Sequence, residues 1–232
     1  SLGGEVHFES HVTDLLVEGG HLVGVQINGE TERKGDAVVL ATGHSARDIF
    51  HLLHRKGIAV ESKTYALGLR VEHPQLTIDK IQYRQEPRDT YLPAASYRLA
   101  REGVYSFCMC PGGIIVPAAT APGEIVVNGM SPSKRNSRWA NSGIVTQVEE
   151  EDLKPFLDEF GPLAGLAFQE SVERAAFAAN GDESQKAPCQ RVVDFLADRE
   201  SGDLPRVSYV PGVVSVRLST VLPERGNAAL QN

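Results

Sequence analysis

The sequence predicts a mixed α/β protein of the α+β kind: a mostly antiparallel mixed sheet with packed helices, plus the remnant of a second sheet. Three observations carry this. Between residues 97 and 130, short strand-like runs follow one another across Gly103, Pro111-Gly112-Gly113 and Pro122-Gly123, with little room for helices between them. Residues 163–179 carry an apolar stripe at helical spacing, Leu163, Leu166, Ala167, Val172, Ala175 and Ala176. Near the start, Gly35-Asp36-Ala37-Val38-Val39-Leu40-Ala41-Thr42-Gly43-His44-Ser45 reads as a polar turn, an apolar strand covered on both faces, a small-residue turn and a helix start capped by Ser45.

The remaining elements follow in chain order. Residues 5–18 alternate roughly and are joined through Gly19-Gly20 to the apolar run 22–27, a hairpin. Asn28-Gly29 turns the chain into a polar edge strand, Glu30-Thr31-Glu32-Arg33. Residues 45–57 read as a helix with Ile49, Leu52 and Leu53 on one face and Gly57 at its stop. His51 and His54 lie three apart on it without a third ligand nearby, so no metal site is expected. A strand at 65–73 has Gly68 as a bulge or a close approach, and Pro74 opens a short helix. Residues 86–95 are a loop; 97–100 and 104–109 are strands, as are 114–118, 125–130 and 143–148. The polar segment 131–142 lies between the last two. Glu149-Glu150-Glu151-Asp152 opens a helix, where acidic side chains suit the positive end of its dipole. A short helix is expected at 192–196, a loop at 202–214 and a loosely packed tail at 226–232.

Composition narrows the classes. With 232 residues, 41% hydrophobic and 23% charged, the chain has the make-up of an ordinary globular protein. A net charge of −7 and the lack of a basic block argue against nucleic acid or an anionic membrane as partner. No apolar run is long enough to span a bilayer, and the first residues do not resemble a signal peptide, so a cytoplasmic location is the default. Three cysteines make no disulfide framework.

Four motifs occur in order. They are Val38-Val39-Leu40-Ala41-Thr42-Gly43-His44-Ser45-Ala46-Arg47-Asp48, Gly68-Leu69-Arg70-Val71-Glu72-His73-Pro74-Gln75, Val104-Tyr105-Ser106-Phe107-Cys108-Met109-Cys110-Pro111-Gly112-Gly113 and Val127-Asn128-Gly129-Met130-Ser131. Together they resemble the bacterial FAD-dependent dehydrogenase family, over roughly residues 5–223. The resemblance implies a division into 1–60, part of a flavin domain and its sheet, and 61–232, a substrate-side domain. It implies a flavin-dependent oxidoreductase acting on a small molecule, with FAD and, as electron donor or acceptor, NAD(P)H. A flavin monooxygenase of related architecture and a non-catalytic binding or interface module are the alternatives. The glycine-rich G-x-G-x-x-G loop of dinucleotide folds is absent from this sequence, so the chain is expected to be a piece of a longer protein that does not retain FAD by itself. Self-association through the truncated sheet is expected in that case.

The resemblance places Ala41, Thr42, Gly43 and His44 beside the adenosine half of FAD, through backbone contact. Gly112 and Gly113 are the preferred wall of the flavin ring, because bare backbone lets a flat ring approach. Cys108 and Cys110 are either a redox-active pair or, facing the same way two apart on a strand end, packing residues with Met109 on the other side. Arg70 and Glu72 share a strand face and are either a structural ion pair or, with His73, a cluster that handles protons beside a flavin. Ser131, Arg138 and Asn141 are candidate contacts to an anionic substrate, in a segment that reads equally as a solvated basic loop.

Overall fold

A computed structural model describes residues 3–232. The chain divides into two compact units, Ser1–Glu61 and Ser62–Asn232. In the first, β1 (Val12–Glu18), β2 (His21–Ile27) and β3 (Thr31–Lys34) form an antiparallel sheet in chain order. Both turns are built on consecutive left-handed residues, Gly19-Gly20 and Asn28-Gly29. That geometry matches the twist of paired strands. Helix α1 (Arg47–Arg55) buries Ile49 and Leu52 against Leu15 of β1, and these three make the unit's core. It ends where expected. Gly57 is left-handed, its N–H donates to the His54 carbonyl, and the Ile58 N–H donates to the Leu53 carbonyl. This is a Schellman stop, which satisfies two of the last carbonyls.

Three expectations for this unit fail. Residues 5–11 are not in the sheet, and Val6 and Phe8 are exposed. Residues 36–43 form no strand, and Val39 is 88% exposed. A continuous apolar strand needs paired neighbours and cover on both faces, whereas the sheet here ends at β3, whose four residues are all exposed. Ser45 does not cap α1. The cap position is Ala46, and the Ser45 hydroxyl is engaged with His44 Nδ1 at 3.0 Å.

The second unit is built on a four-stranded antiparallel sheet, β4 (Ala66–Pro74), β9 (Trp139–Gln147), β6 (Val104–Cys110) and β5 (Ala100–Arg101), in that spatial order. The pairing of β4 with β9 is unbroken from Ala66↔Gln147 to Pro74↔Trp139. Gly68 is therefore a close approach and not a bulge, since a Cβ there would collide with the Ile144 carbonyl. Strand β9 begins four residues earlier than expected and carries Asn141 and Ser142 into the interior. Pro74 precedes helix α2 (Gln75–Tyr83), as its fixed φ favours. β7 (Ile114–Pro117) and β8 (Val127–Met130) form a separate hairpin.

The helices close the core. Helix α3 (Glu150–Phe160) opens on a capping box in which the Glu149 and Asp152 side chains accept from each other's backbone N–H groups. It packs on α4 (Ala164–Ala179), with Phe156 edge-on to Phe168 at 5.9 Å. Ala176 and Phe177 of α4 cover a cluster of Ile115, Ile125, Ala187 and Tyr209. β10 (Ala187–Cys189) and β11 (Val213–Ser215) pair in parallel across the loop expected at 202–214. Helix α5 (Val192–Leu196) supplies Phe195 to a second cluster with Leu218 and Leu222. The tail is not loose. It forms α6 (Glu224–Gln231), whose Leu230 packs on that cluster and whose Gln231 side chain donates to the Phe195 carbonyl at 2.9 Å. Partly burying such a leucine is worth about 1 kcal/mol, which with the Gln231 hydrogen bond offsets the weak helix preference of Gly226 and Asn227.

Candidate functional site

The second unit contains an open cleft of about 710 Å³ between segment 96–100 and strand β6. This size is usual for small-molecule sites. Tyr97, Leu99, Tyr105 and Phe107 supply aromatic and apolar walls, Arg98 and Arg135 supply positive charge, and Cys108 and Met109 lie along one side. Tyr105 and Phe107 come from the regularly paired part of β6, whereas Cys108 and Met109 lie in a break of its pairing with β9 between Phe107 and Cys110. Cys108 sits in the left-handed region, at φ 48°. Side chains after the break no longer alternate as in a regular strand. The expected packing of the cysteines as a like pair with Met109 on the opposite face is thus corrected: Cys108 is exposed, Cys110 is 6% exposed, and Met109 lines the same cleft as Cys108.

Arg70 lies behind this bulge. Its Nη1 donates to the Asn141 side-chain carbonyl at 2.6 Å and to the Cys108 backbone carbonyl at 3.3 Å, and lies 4.0 Å from Cys110 Sγ. Its Nη2 donates to the Asn128 side-chain carbonyl at 3.0 Å. Arg70 is therefore not ion-paired with Glu72, which instead accepts from the backbone N–H of Ser208 at 2.8 Å and from the Ser208 hydroxyl. Asn141 is 0% exposed and its Nδ2 has no hydrogen-bond partner among the described residues. A buried donor left unpaired costs about 1–3 kcal/mol. Gly129 is required beside this pair, because a Cβ there would collide with Arg70 and with the Asn141 amide oxygen.

His73 belongs to a second arrangement. Its Nε2 lies 2.9 Å from the Tyr97 hydroxyl, and its Nδ1 is buried without a partner among the described residues. Burial pushes the imidazole pKa down, so the ring is neutral near pH 7. Burial also pushes the Tyr97 hydroxyl up. Tyr97 lines the cleft and was not foreseen; a tyrosine in a strand-like run carries no local mark of such a role.

The Pro111-Gly112-Gly113 turn is fixed from below. The Gly112 N–H donates to the Gln75 side-chain oxygen at 2.6 Å. Gln75 in turn donates to Asp79 Oδ1 at 2.8 Å and to the Ala95 carbonyl at 3.0 Å. Asp79 is 1% exposed and also accepts from Arg88 and from the Ala95 N–H. Burial opposes its charge, but the Ala95 N–H, Gln75 and Arg88 together hold its carboxyl below the usual carboxylate range. Gly112 and Gly113 do not present bare backbone to a ligand. Both are buried, and a Cβ on either would strike chain backbone, at Arg135 and Met130 respectively. Their smallness admits the chain's own backbone at Met130 and Arg135, so the expected open approach of a flat ring to Gly112 and Gly113 is not available in this fold.

The other expected residues are dispersed. The Ser131 hydroxyl donates to the Pro111 carbonyl at 2.9 Å and braces the turn. Arg138 is exposed and stacks 4.5 Å over the Trp139 ring. Of the expected substrate contacts, Asn141 alone meets Arg70, while the loop residue that lines the cleft is Arg135. Ala41, Thr42, Gly43 and His44 are exposed in the first unit, with Gly43 left-handed and open around its Cα. Among the described residues no group of three or more metal-ligating side chains gathers, and no helix is long and apolar enough to cross a membrane.

An uncharacterised protein of Clostridium beijerinckii is 41% identical to this chain over 231 residues, covering 96% of the chain and 42% of that protein. The chain thus spans about two fifths of the length of the relative it matches. Residues 64–232, which hold the cleft, the Arg70 cluster and the His73–Tyr97 pair, match the family described as FAD-dependent protein, C-terminal domain-like, and the chain belongs to that family.

Proposed function

We propose that the chain is the substrate-side part of a flavin-dependent oxidoreductase, an FAD-dependent dehydrogenase whose intact form passes hydride between FAD and a small molecule. The observation that carries this reading is the cleft. It is aromatic-walled, of small-molecule size, and flanked by cations, and it lies in the family-matching region. The residues present fit the planar end of a flavin or a flat substrate beside it. Tyr97, Tyr105 and Phe107 would hold the ring, and Arg98 and Arg135 would meet negative charge. FAD, when bound, supplies the hydride chemistry. Tyr97 holds a proton at its hydroxyl on the cleft wall, and neutral His73 positions that hydroxyl from behind. Arg70 orients the bulge through the Cys108 carbonyl and does not itself line the cleft.

In this reading Ala41, Thr42, Gly43 and His44 meet the adenosine half of FAD in the intact protein, with NAD(P)H as electron partner in a cytoplasmic setting. Exposed Val6, Phe8 and Val39 favour self-association of the first unit when nothing covers them. The test is the full-length protein. It is expected to purify yellow with a bound-flavin spectrum and to be reduced by NADH or NADPH. A colourless protein indifferent to added FAD overturns the reading. Tyr97→Phe is expected to lower the rate of flavin reduction by substrate about 10²-fold while leaving the flavin spectrum unchanged.

A further inference from the structure

We propose that Cys108 and Cys110 form a dithiol/disulfide couple that exchanges two electrons with a small disulfide entering the cleft, Cys108 attacking and Cys110 resolving. Four observations on different atoms support this. Cys108 is exposed and lines the cleft, so a ligand there meets its sulfur first. Cys110 is buried directly behind it, with its thiol 3.3 Å from the Cys108 carbonyl. The Arg70 guanidinium stands 4.0 Å from Cys110 Sγ and offers charge stabilisation when that sulfur becomes a thiolate. The strand is broken between Phe107 and Cys110, with Cys108 left-handed. In a regular strand, residues two apart have Cα atoms roughly 6.6 Å apart, at the long end of what a disulfide spans, and leaving extended geometry shortens this. Burial is the main influence raising the Cys110 thiol pKa, and the Cys108 thiol next to it adds to the rise, which marks the two sulfurs as neighbours.

The chemistry balances without any further reactant. The Cys108 thiolate attacks one sulfur of the incoming disulfide. The S–S bond breaks, a mixed disulfide forms and one thiolate leaves. Cys110, losing its proton to solvent, attacks the Cys108 sulfur, closes the Cys108–Cys110 disulfide and expels the second thiolate. The two departing thiolates take up the two protons released by the cysteines. The incoming disulfide is reduced by two electrons and the cysteine pair is oxidised by two. Cys189 provides an internal control. It lies in β10, its thiol contacts the Gln190 carbonyl at 3.9 Å, and it does not line the cleft.

The test uses the reduced protein and oxidised glutathione, read by peptide mass mapping. Wild type is expected to form the Cys108–Cys110 disulfide with release of two glutathione molecules. Cys110→Ser is expected to stop at a Cys108–glutathione adduct, with release of the second glutathione slowed at least about tenfold. Cys108→Ser is expected to remain unmodified at Cys110, and Cys189 stays free throughout. Cys110→Ala, with thermal melting followed in parallel, replaces the serine variant if burial of the hydroxyl unfolds it. The proposal is overturned if folded wild type forms no Cys108–Cys110 disulfide, or if Cys110 reacts first in Cys108→Ser. The assay does not involve flavin, so its failure leaves the oxidoreductase reading standing, and a colourless full-length protein leaves this one standing.

Discussion

The two units handle a stretch of apolar sequence in opposite ways. In the first, Val38-Val39-Leu40 is a continuous apolar run that ends up unpaired, with Val39 and Leu40 exposed. In the second, β9 carries Asn141 and Ser142, poor strand material, and buries both completely. Residue type decided neither outcome. β9 has β4 on one side and β6 on the other, so its backbone groups are paired and its polar side chains find Arg70 and the Phe107 carbonyl. Among the described residues, 36–43 have no such neighbours in their unit, whose core is three buried side chains with Val25, Ala46 and Leu53 packed against them. A strand is stabilised by what lies beside it more than by its own side chains.

That contrast can be broken at specific positions, with hydrogen exchange read separately in each unit because a single melting transition would mix them. The largest effect is expected from Gly68→Val. The new side chain would collide with the Ile144 carbonyl and the Val145 Cα in the middle of the central pairing. A loss of about 4 kcal/mol is expected across β4, β9 and β6, with the first unit unchanged. Leu52→Ala is the matching experiment in the first unit. It removes the most buried of three core residues and should cost about 3 kcal/mol. If protection in α1 survives it, the core described here is not what holds that unit.

Asp79→Asn should cost about 2–3 kcal/mol, since it leaves Arg88 without its anion and disturbs the support of Gly112. The sign of its pH dependence follows from the carboxyl's lowered pKa. The stabilisation is present above the ordinary carboxylate range and disappears as pH falls through the folded value. The variant should therefore have a shallower acid limb than wild type in urea titrations at successive pH values, and an unchanged limb would show that Asp79 does not carry the charge in the folded state. The smallest effect is expected from Val39→Lys, within about 0.5 kcal/mol by the same exchange measurement, because the side chain leaves nothing behind. A large loss there would show that residues 36–43 are covered in solution.

What the sequence made legible was what local chemistry decides. The two left-handed hairpin turns, the Gly57 stop, the Pro74 entry to α2, the long α4 and the strand–turn order from β6 to β8 all announce themselves within a few residues. What escaped was decided at a distance. The helix at 224–231 forms because Leu230 finds Phe195, and the parallel β10–β11 pair joins segments separated by more than twenty residues. In the site, Arg70, the Cys108–Cys110 pair and Asn141 read from the sequence as separate features, and the structure brings them into one cluster. Gly112 and Gly113 face the chain's own backbone, which the sequence does not reveal because smallness fits a ligand and a neighbouring segment equally well. Tyr97, Gln75 and Asp79 were missed, the last two despite the i, i+4 spacing that allows Gln75 to meet Asp79 on α2.

The left-handed backbone at Cys108 has one more consequence. A residue with a Cβ held there sits roughly 1 kcal/mol above glycine, which adopts the same angles freely. Cys108→Gly should therefore raise the resistance of the second unit to urea, while leaving it unable to react with oxidised glutathione. The protein would be sturdier for losing that sulfur, which makes position 108 a place where durability and reactivity pull in opposite directions.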